Sequence, residues 1–290
     1  MIRIIAGTCL IALSLGATEA MAAALTPAAP AGTPAAIPAN IAAAVADASR
    51  SDADRQRDAV RKPAEVLAFA GVKLGDRVGE LMPGRGYYTS IFCKAVGPSG
   101  HVYTMDITRV MDGPPGPPPG APAGAGPGGP GVGAPGGPGG PGGPPAETTA
   151  KGAGMPCTNV TADSRKAAEF SLPAGLDMVW TSENYHDLHN RQFGAPDMTT
   201  FNKAVFNALK PGGVYMIEDH ASAPGTGTSV TETLHRIDEE SVKKEVTSAG
   251  FVLSGESDVL RNPADPHDVK TFDLNGKSDK FLLKFTKPKR

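Results

Sequence analysis

Apolar residues follow two different rhythms in the first half of the chain. Between residues 54 and 70 they recur every three or four positions, which is the spacing of one helix face. The short, mostly apolar runs at 77–81 and 101–107 have the length of buried strands, and a second helix is predicted between them at 88–96. This part of the chain therefore predicts a helix, a strand, a helix and a strand.

The alternation of strands and helices continues in the second half of the chain. Strands are predicted at 176–181, 213–218 and 281–285, and helices at 201–209 and 233–249. Such alternation is typical of a largely parallel sheet with helices on both faces. Because two strands with one crossover are too few for a domain, we expect the two halves to complete each other. We predict an α/β fold with a single doubly wound, mostly parallel sheet over residues 50–290.

A low-complexity segment separates the two halves. Residues 113–145 contain only Gly, Pro, Ala and Val. Such a segment cannot bury enough apolar surface to offset the entropy lost on ordering. It is either a linker between two domains or an insert in one domain. The incomplete sheet on each side favours a disordered insert.

The N-terminus has the features of a signal peptide, predicted at residues 1–23. Arg3 precedes an apolar run at 4–15, and Ala20-Met21-Ala22 is a small-x-small cleavage motif. The run is too short for a spanning helix, which needs roughly 20 apolar residues. Residues 24–49 are then expected to form a flexible leader. We predict a periplasmic or secreted protein without stable membrane association after cleavage; the alternative is a cytosolic protein with an apolar N-terminal helix.

Charge and cysteine content narrow the possible partners. The formal net charge is −2, and no basic patch occurs along the chain, so nucleic acid is not an expected partner. Cleavage would leave Cys93 and Cys157. In an oxidising compartment these two cysteines can pair, or they can remain separate buried thiols.

The stretch LMPGRGYYT, residues 81–89, follows the first predicted strand. Gly84 and Gly86 allow the backbone to turn sharply and to approach a ligand without a Cβ in the way. Glu80 places a carboxylate at the strand end, and Asp106 ends the second strand, where an acid is the usual partner of ribose hydroxyls. The order predicts a cofactor turn; the alternative is a tight βα turn with a solvated aspartate.

This order resembles the class I S-adenosylmethionine-dependent methyltransferases. Their first motif is an acid followed by a Gly-x-Gly-x-Gly turn, and residues 80–86 are ELMPGRG. LKPGGVYMIEDH at 209–220 and SAGFVL at 248–253 resemble the segments that lead into their fifth and sixth strands. The chain is also similar to a group of exported, methyltransferase-like proteins that carry PGRGYYT, NYHDLHN and LHRID.

The resemblance implies a Rossmann-like methyltransferase fold and S-adenosylmethionine as cofactor. Met82 stands in place of the first glycine of the motif, and Tyr87 or Tyr88 would either stack on the ligand or pack under the sheet. The sulfonium would lie near Glu80, the ribose on Asp106, and the adenine near NVTAD, after the third strand. The expected cofactor-binding residues are Glu80, Met82, Gly84, Gly86, Tyr87, Asp106 and Asp163.

A polar cluster follows the predicted strand at 176–181, whose end faces the transferred methyl group in the family. His186 is suited to be a general base because its ordinary pKa is near working pH. Since neighbouring strand ends are about 4.8 Å apart, we expect His186 and His220 within about 10 Å of each other. The candidate catalytic residues are Asn184, Tyr185, His186, Asp187, Asp219 and His220. The alternative is a capping network in a loop.

These features favour an S-adenosylmethionine-dependent methyltransferase acting on a small molecule, with no resident metal. Two alternatives stay open. One is an exported binding or scaffold protein that keeps the fold, because S-adenosylmethionine is made in the cytoplasm. The other is a metal-assisted enzyme in which His186, His189, Asp219 and His220 meet. In LHRID, Arg236 would either join an anchoring salt bridge or bind a substrate carboxylate.

Overall fold

The computed structural model describes residues 36–110 and 157–289. The predicted signal peptide and the predicted Gly/Pro insert lie outside these residues. Within the described part of the chain, no helix has the length and apolar content needed to cross a membrane.

A seven-stranded sheet organises the protein, and its strand order is β3-β2-β1-β4-β5-β7-β6. The strands are β1 (Arg77–Leu81), β2 (His101–Ile107), β3 (Val160–Arg165), β4 (Leu176–Ser182), β5 (Leu209–His220), β6 (Val252–Ser257) and β7 (Lys280–Thr286). Only β7 runs antiparallel to its neighbours in this sheet. The predicted α/β fold with a mostly parallel sheet is confirmed.

Helices cover both faces of the sheet. They are α1 (Ala39–Val45), α2 (Asp52–Arg61), α3 (Pro63–Ala70), α4 (Tyr87–Ala95), α5 (Met198–Ala208), α6 (Thr231–Leu234) and α7 (Glu239–Ser248). Val179 and Tyr215 belong to the core with α5 and α7, whereas Trp180 and Met216 belong to the core with α1, α3 and α4. Successive strand residues point to opposite faces, and both faces are buried. This explains why β4 and β5 contain nearly continuous apolar runs.

Two predicted helices are each interrupted in the structure. The helix predicted at 54–70 breaks at Lys62, which has a φ of 42°. Pro63 then begins α3 because proline has no N–H to donate and its ring clashes with a preceding helical turn. The helix predicted at 233–249 is replaced by α6 and α7, and the Asp238 carboxylate caps α7 by accepting a hydrogen bond from the Glu240 N–H.

The prediction of a flexible leader over 24–49 is wrong for residues 39–45, which form α1. Ile41 and Ala44 are buried in the core beside α3 and α4. Asn40 fixes the helix further, because its amide donates to the Ala95 carbonyl at 3.0 Å. The Ala-rich composition conceals this amphipathic turn.

A disulfide joins Cys93 in α4 to Cys157, which precedes β3, with 6.1 Å between their Cα atoms. The pairing that the sequence leaves open is therefore present. β3 itself is a polar edge strand with alternating partial exposure. Val160 to Asp163 of NVTAD thus lie within the third strand and do not follow it, contrary to the prediction.

Candidate active-site cleft

The turn after β1 keeps a glycine-like backbone although one glycine is replaced. Met82, Gly84 and Gly86 have φ angles of 47°, 56° and 78°. The left-handed region costs a non-glycine residue roughly 1–2 kcal/mol. Two hydrogen bonds hold Met82 in it: its N–H donates to the Met105 carbonyl at 2.8 Å, and the Asn184 amide donates to its carbonyl at 2.9 Å.

A cleft of about 1080 Å³ opens above this turn. It is lined by helix α2, the end of β1 with the turn at 82–85 and the start of α4, the ends of β4 and β5, and residues 271–276 before β7. Gly84 faces open space, since a Cβ at this position would meet no atom within 4 Å. The turn therefore presents bare backbone to the cleft.

Glu80 lies at the base of the cleft and is only 2% exposed. The Thr89 hydroxyl donates to its Oε2 at 2.6 Å. Burial raises the pKa of Glu80 to about 8, because desolvation disfavours the carboxylate. The residue is therefore largely protonated at neutral pH.

An ion pair closes the cleft on the side of α2. Arg61 pairs with Glu183, which has a φ of 58° and lies 3.4 Å from the Lys280 ammonium. Burial opposes ionisation of Glu183, but Arg61, His220 and Lys280 outweigh it and lower its pKa. Burial and the charge of Glu183 raise the pKa of Glu218, whose Oε1 is buried without a hydrogen-bond partner.

Both tyrosines after the turn pack against protein. The Tyr87 hydroxyl donates to Asp58 at 2.6 Å, and the Arg57 and Arg61 guanidinium groups lie 5.0 and 4.9 Å from its ring centre. The Tyr88 ring is 4.8 Å from that of Trp180 in the core. Tyr87 forms part of the cleft wall, but packing accounts for both rings.

The two acids assigned to the adenosine are not among the residues that line the cleft. Asp106 is half-buried at the end of β2, where its Oδ1 accepts from the Ile107 N–H at 3.0 Å. Asp163 is exposed on the edge strand β3 and pairs with Arg165 at 2.9 Å. The assignment of Asp163 depended on NVTAD following a strand, and it loses that basis.

Asn184 and Tyr185 are already bound to protein groups. The Asn184 amide holds the turn at Met82, and its oxygen accepts from the Thr181 hydroxyl. Tyr185 is fully buried, and its hydroxyl donates to Glu245 at 2.9 Å. The structure therefore gives no support to Tyr185 as a catalytic residue, because its ring extends into the core with α5 and α7.

His186, Asp187, Asp219 and His235 form a compact histidine–aspartate cluster. Asp219 accepts two hydrogen bonds from His186, from the backbone N–H at 2.7 Å and from ring Nδ1 at 2.8 Å. The other ring nitrogen, Nε2, lies 3.3 Å from His235 Nδ1 and 3.6 Å from Asp187 Oδ1. Burial acts against protonation of His186, but Asp219 outweighs it and raises the pKa of the imidazole.

His220 is the histidine that lines the cleft. Its ring centre is 5.9 Å from that of His186, so the predicted proximity of the two is confirmed. Its Nδ1 is 2.7 Å from the Ser278 hydroxyl, and burial lowers its pKa to about 4. His220 is therefore a neutral imidazole at neutral pH, whereas His186 is not among the cleft-lining residues.

Sequence reasoning missed the contribution of α2 and of residues 271–276. Arg57 and Arg61 are four positions apart on one helix face, a spacing that could have marked a basic stripe. Nothing in the local pattern of 271–276 indicates a cleft wall. For Arg236, the structure supports an anchoring salt bridge over the binding of a substrate carboxylate, because Arg236 is fully buried and pairs with Asp265 at 2.8 Å.

Comparisons with known proteins bear on the fold. No sequence profile of a known protein family matches this chain, and no curated protein sequence does either. The chain is similar in structure to a SAM-dependent methyltransferase from Aquifex aeolicus, with a TM-score of 0.50, 17% identity, and coverage of 80% of this chain and 92% of that one.

Two other solved structures are more distantly similar. An S-adenosylmethionine-dependent methyltransferase from Mesorhizobium loti has a TM-score of 0.46, 14% identity, and coverage of 79% of this chain and 99% of that one. An arsenic(III) S-adenosylmethionine methyltransferase from Chlamydomonas reinhardtii has a TM-score of 0.47, 16% identity, and coverage of 87% and 74%. The strand order and the similarity to the Aquifex aeolicus structure together show that this chain has the Rossmann-like methyltransferase fold.

Proposed function

We propose that the protein is an S-adenosylmethionine-dependent methyltransferase that acts on a small molecule. The observation that carries the proposal is the turn after β1, in which three residues have left-handed φ angles and Gly84 exposes bare backbone at the carboxyl edge of the sheet. In open α/β sheets, ligands bind beyond the carboxyl ends of the strands. The Aquifex aeolicus protein of similar fold is named as SAM-dependent, and we propose the same cofactor for the present chain.

The residues present fit this cofactor. Bound S-adenosylmethionine supplies a methyl group on a positively charged sulfur. Glu80 at the base of the cleft would lose its proton and become a carboxylate beside a cationic ligand, and Arg57 and Arg85 on the walls offer partners for a ligand carboxylate. The cleft volume of about 1080 Å³ is at the upper end of the range for ligand sites, which leaves room for a small acceptor beside the cofactor.

His220 is the candidate proton acceptor for the methyl acceptor. It lines the cleft and is neutral at neutral pH, so it can take a proton from a hydroxyl or an amine as the methyl group is transferred. Ser278 fixes the orientation of the ring through Nδ1. The remaining contribution of the cleft is positioning and exclusion of water.

Calorimetric titration with S-adenosylmethionine tests the proposal with a matched pair of variants. Gly84→Asn places a side chain in the cleft, whereas Gly225→Asn places the same side chain on the surface. Both glycines have positive φ, at 56° and 82°, and a Cβ at either position meets no atom within 4 Å. We expect Gly84→Asn to abolish binding and Gly225→Asn to preserve it. Equal affinities of both variants and the native protein would reject the cleft as the cofactor site.

Asp106 remains the proposed partner of the ribose, and the same titration tests it. A hydrogen bond to a charged group contributes about 1.5–3 kcal/mol, so Asp106→Ala should weaken binding by about 10- to 150-fold. An unchanged affinity would remove Asp106 from the site. Binding of the cofactor without methyl transfer to any of a panel of hydroxyl, amine and thiol acceptors would favour the alternative of an exported binding protein.

Export to the periplasm or the medium belongs to the same proposal. It is supported by the apolar run at 4–15, by Ala20-Met21-Ala22, and by the Cys93–Cys157 disulfide, since disulfides persist mainly in oxidising compartments. We expect the native protein to begin near Ala23. An intact mass that includes Met1 would contradict export by cleavage.

A further inference from the structure

We propose that His186, Asp187 and His235 form a binding site for one divalent transition-metal ion of the zinc type. The three side chains offer two imidazole nitrogens and one carboxylate oxygen, all within 4.8 Å of one another. Such mixed nitrogen and oxygen sets suit zinc and its neighbours in the first transition row. The site is distinct from the proposed cofactor turn, and its occupancy does not depend on the proposed methyl transfer.

The distances between the donor atoms match a tetrahedral site. With metal–ligand bonds of about 2.0–2.1 Å, two ligands at the tetrahedral angle are about 3.3–3.4 Å apart. His186 Nε2 and His235 Nδ1 are separated by 3.3 Å. Asp187 Oδ1 is 3.6 Å from His186 Nε2 and 3.9 Å from His235 Nδ1. Shifts of a few tenths of an ångström complete the geometry.

Asp219 gives His186 the arrangement that metal-binding histidines have. Its carboxylate takes the hydrogen bond from Nδ1 at 2.8 Å and is fully buried. A metal-binding histidine almost always donates its second N–H to such a partner, which fixes the tautomer and turns the free lone pair toward the ion. Here that lone pair is on Nε2, and it faces the other two donor atoms.

The other two donors are also held in place. The Asn190 amide donates to Asp187 Oδ1 at 2.9 Å. His235 has a φ of 54°, which is uncommon for a non-glycine residue, and its ring packs against Phe272 at 4.5 Å between ring centres. The Ile237 N–H, two residues on, donates to the His220 carbonyl at 3.0 Å and ties this segment to the end of β5.

The charges around the proposed site favour a bound cation, and the site lies beside the cleft. Asp187 and Asp219 supply two carboxylates, whereas the positive charges of Arg109 and Lys270 act on the cluster without a hydrogen bond to it. Three protein ligands leave a fourth position for water or a substrate atom, as in catalytic zinc sites. His220 and Phe272, which line the cleft, contact the cluster, so the cluster adjoins the cleft wall.

Titration of chelator-treated protein with Co²⁺ and with Zn²⁺ tests the site. We expect one Co²⁺ per chain with the strong visible absorption of a tetrahedral ion, and its displacement by Zn²⁺. His235→Ala and Asp187→Asn should weaken binding by more than about 100-fold, and Asp219→Asn by about 10- to 100-fold because it only orients His186. The control is His101→Ala. His101 begins β2 and therefore lies at the edge of the sheet opposite the cluster, so this variant should bind like the native protein.

The outcomes separate this proposal from the proposed function. His235 and Asp187 are partly exposed, so their variants are expected to fold, and a thermal melt of each verifies this. Absence of stoichiometric Co²⁺ binding by the native protein overturns the site. Native affinity in the folded His235→Ala variant overturns it as well. S-adenosylmethionine titrated into metal-free protein reports on the cofactor cleft alone, whatever the metal result.

Discussion

Replacing Glu80 with glutamine is expected to remove a pH-dependent loss of stability. The pKa of the folded-state carboxyl is raised by burial to about 8, from 4.5 in an exposed group. Between these two pH values the folded protein keeps a proton that the unfolded chain has lost. The free energy of unfolding therefore falls as pH rises through this window. Glutamine has nearly the same shape, and its oxygen can still accept from the Thr89 hydroxyl.

The size of the effect follows from the pKa difference. One unit corresponds to about 1.4 kcal/mol, so complete burial of the carboxylate would cost about 4–5 kcal/mol by pH 8. Glu80 borders the cleft, however, so a small shift of the side chain would let the ionised carboxylate regain part of its hydration. We therefore expect the native protein to lose about 2–3 kcal/mol relative to Glu80→Gln between pH 5 and pH 8.

Denaturant unfolding at several pH values between 5 and 8 measures this difference. Glu218 also titrates in this range, but it is present in both proteins and cancels in the comparison. The exposed Glu65→Gln serves as the control and should follow the native curve. Parallel stability curves for Glu80→Gln and the native protein would refute the reasoning, since they would mean that Glu80 is ionised throughout.

Four further predictions concern Glu80, the turn at Met82, the Cys93–Cys157 disulfide and the buried pair of Arg236 and Asp265. Binding of S-adenosylmethionine below pH 8 should release a proton from Glu80, visible as a dependence of the binding enthalpy on the buffer; no dependence would separate Glu80 from the ligand. Met82→Val should lower stability by roughly 1–2 kcal/mol, because a β-branched residue is strained at this positive φ. Joint replacement of Cys93 and Cys157 by serine should cost about 2–4 kcal/mol in urea unfolding. Arg236→Ala should cost about 3–5 kcal/mol by leaving a buried carboxylate unpaired, and a smaller loss would show that water reaches it.

The elements of the fold could be predicted where local pattern and tertiary burial agree. β1 and β2 have the predicted bounds, because both are largely buried and each adjoins strong turn residues: Pro83-Gly84 follow β1, and Ser99-Gly100 precede β2. β3 could not be recognised, since an edge strand with one solvated face contains few apolar residues. α1 was hidden for a related reason: alanine supplies both its buried and its exposed positions, so composition suggests a leader.

The candidate site was predictable in outline and not in detail. Strand ends at one edge of a parallel sheet bring their polar residues together, and His186 and His220 do meet there. What the sequence does not give is the partner of each side chain. Tyr185 depends on Glu245, which is 60 positions away, and Arg61 depends on Glu183 at a distance of 122 positions. Such pairs are fixed by tertiary packing and leave no local signal.

Strand alternation explains why neighbouring polar residues at this edge have different roles. Successive residues of β5 point to opposite faces. Glu218 and His220 lie on the α4 side, where Glu218 accepts from Ser182 and Tyr88 and His220 lines the cleft. Asp219 points to the α5 and α7 side, where it orients His186.

The sheet therefore divides the polar residues into two groups that touch at its edge. On the α4 side, burial keeps Glu80 protonated and His220 neutral, so the proposed cationic cofactor would ionise Glu80 on binding and His220 would be free to accept a proton. On the other side, the donor atoms of His186, Asp187 and His235 lie within 4.8 Å of one another, and Asp219 orients the His186 ring. The two groups adjoin where His220 approaches His186, so a ligand in the cleft and an ion in the cluster would influence each other through this contact.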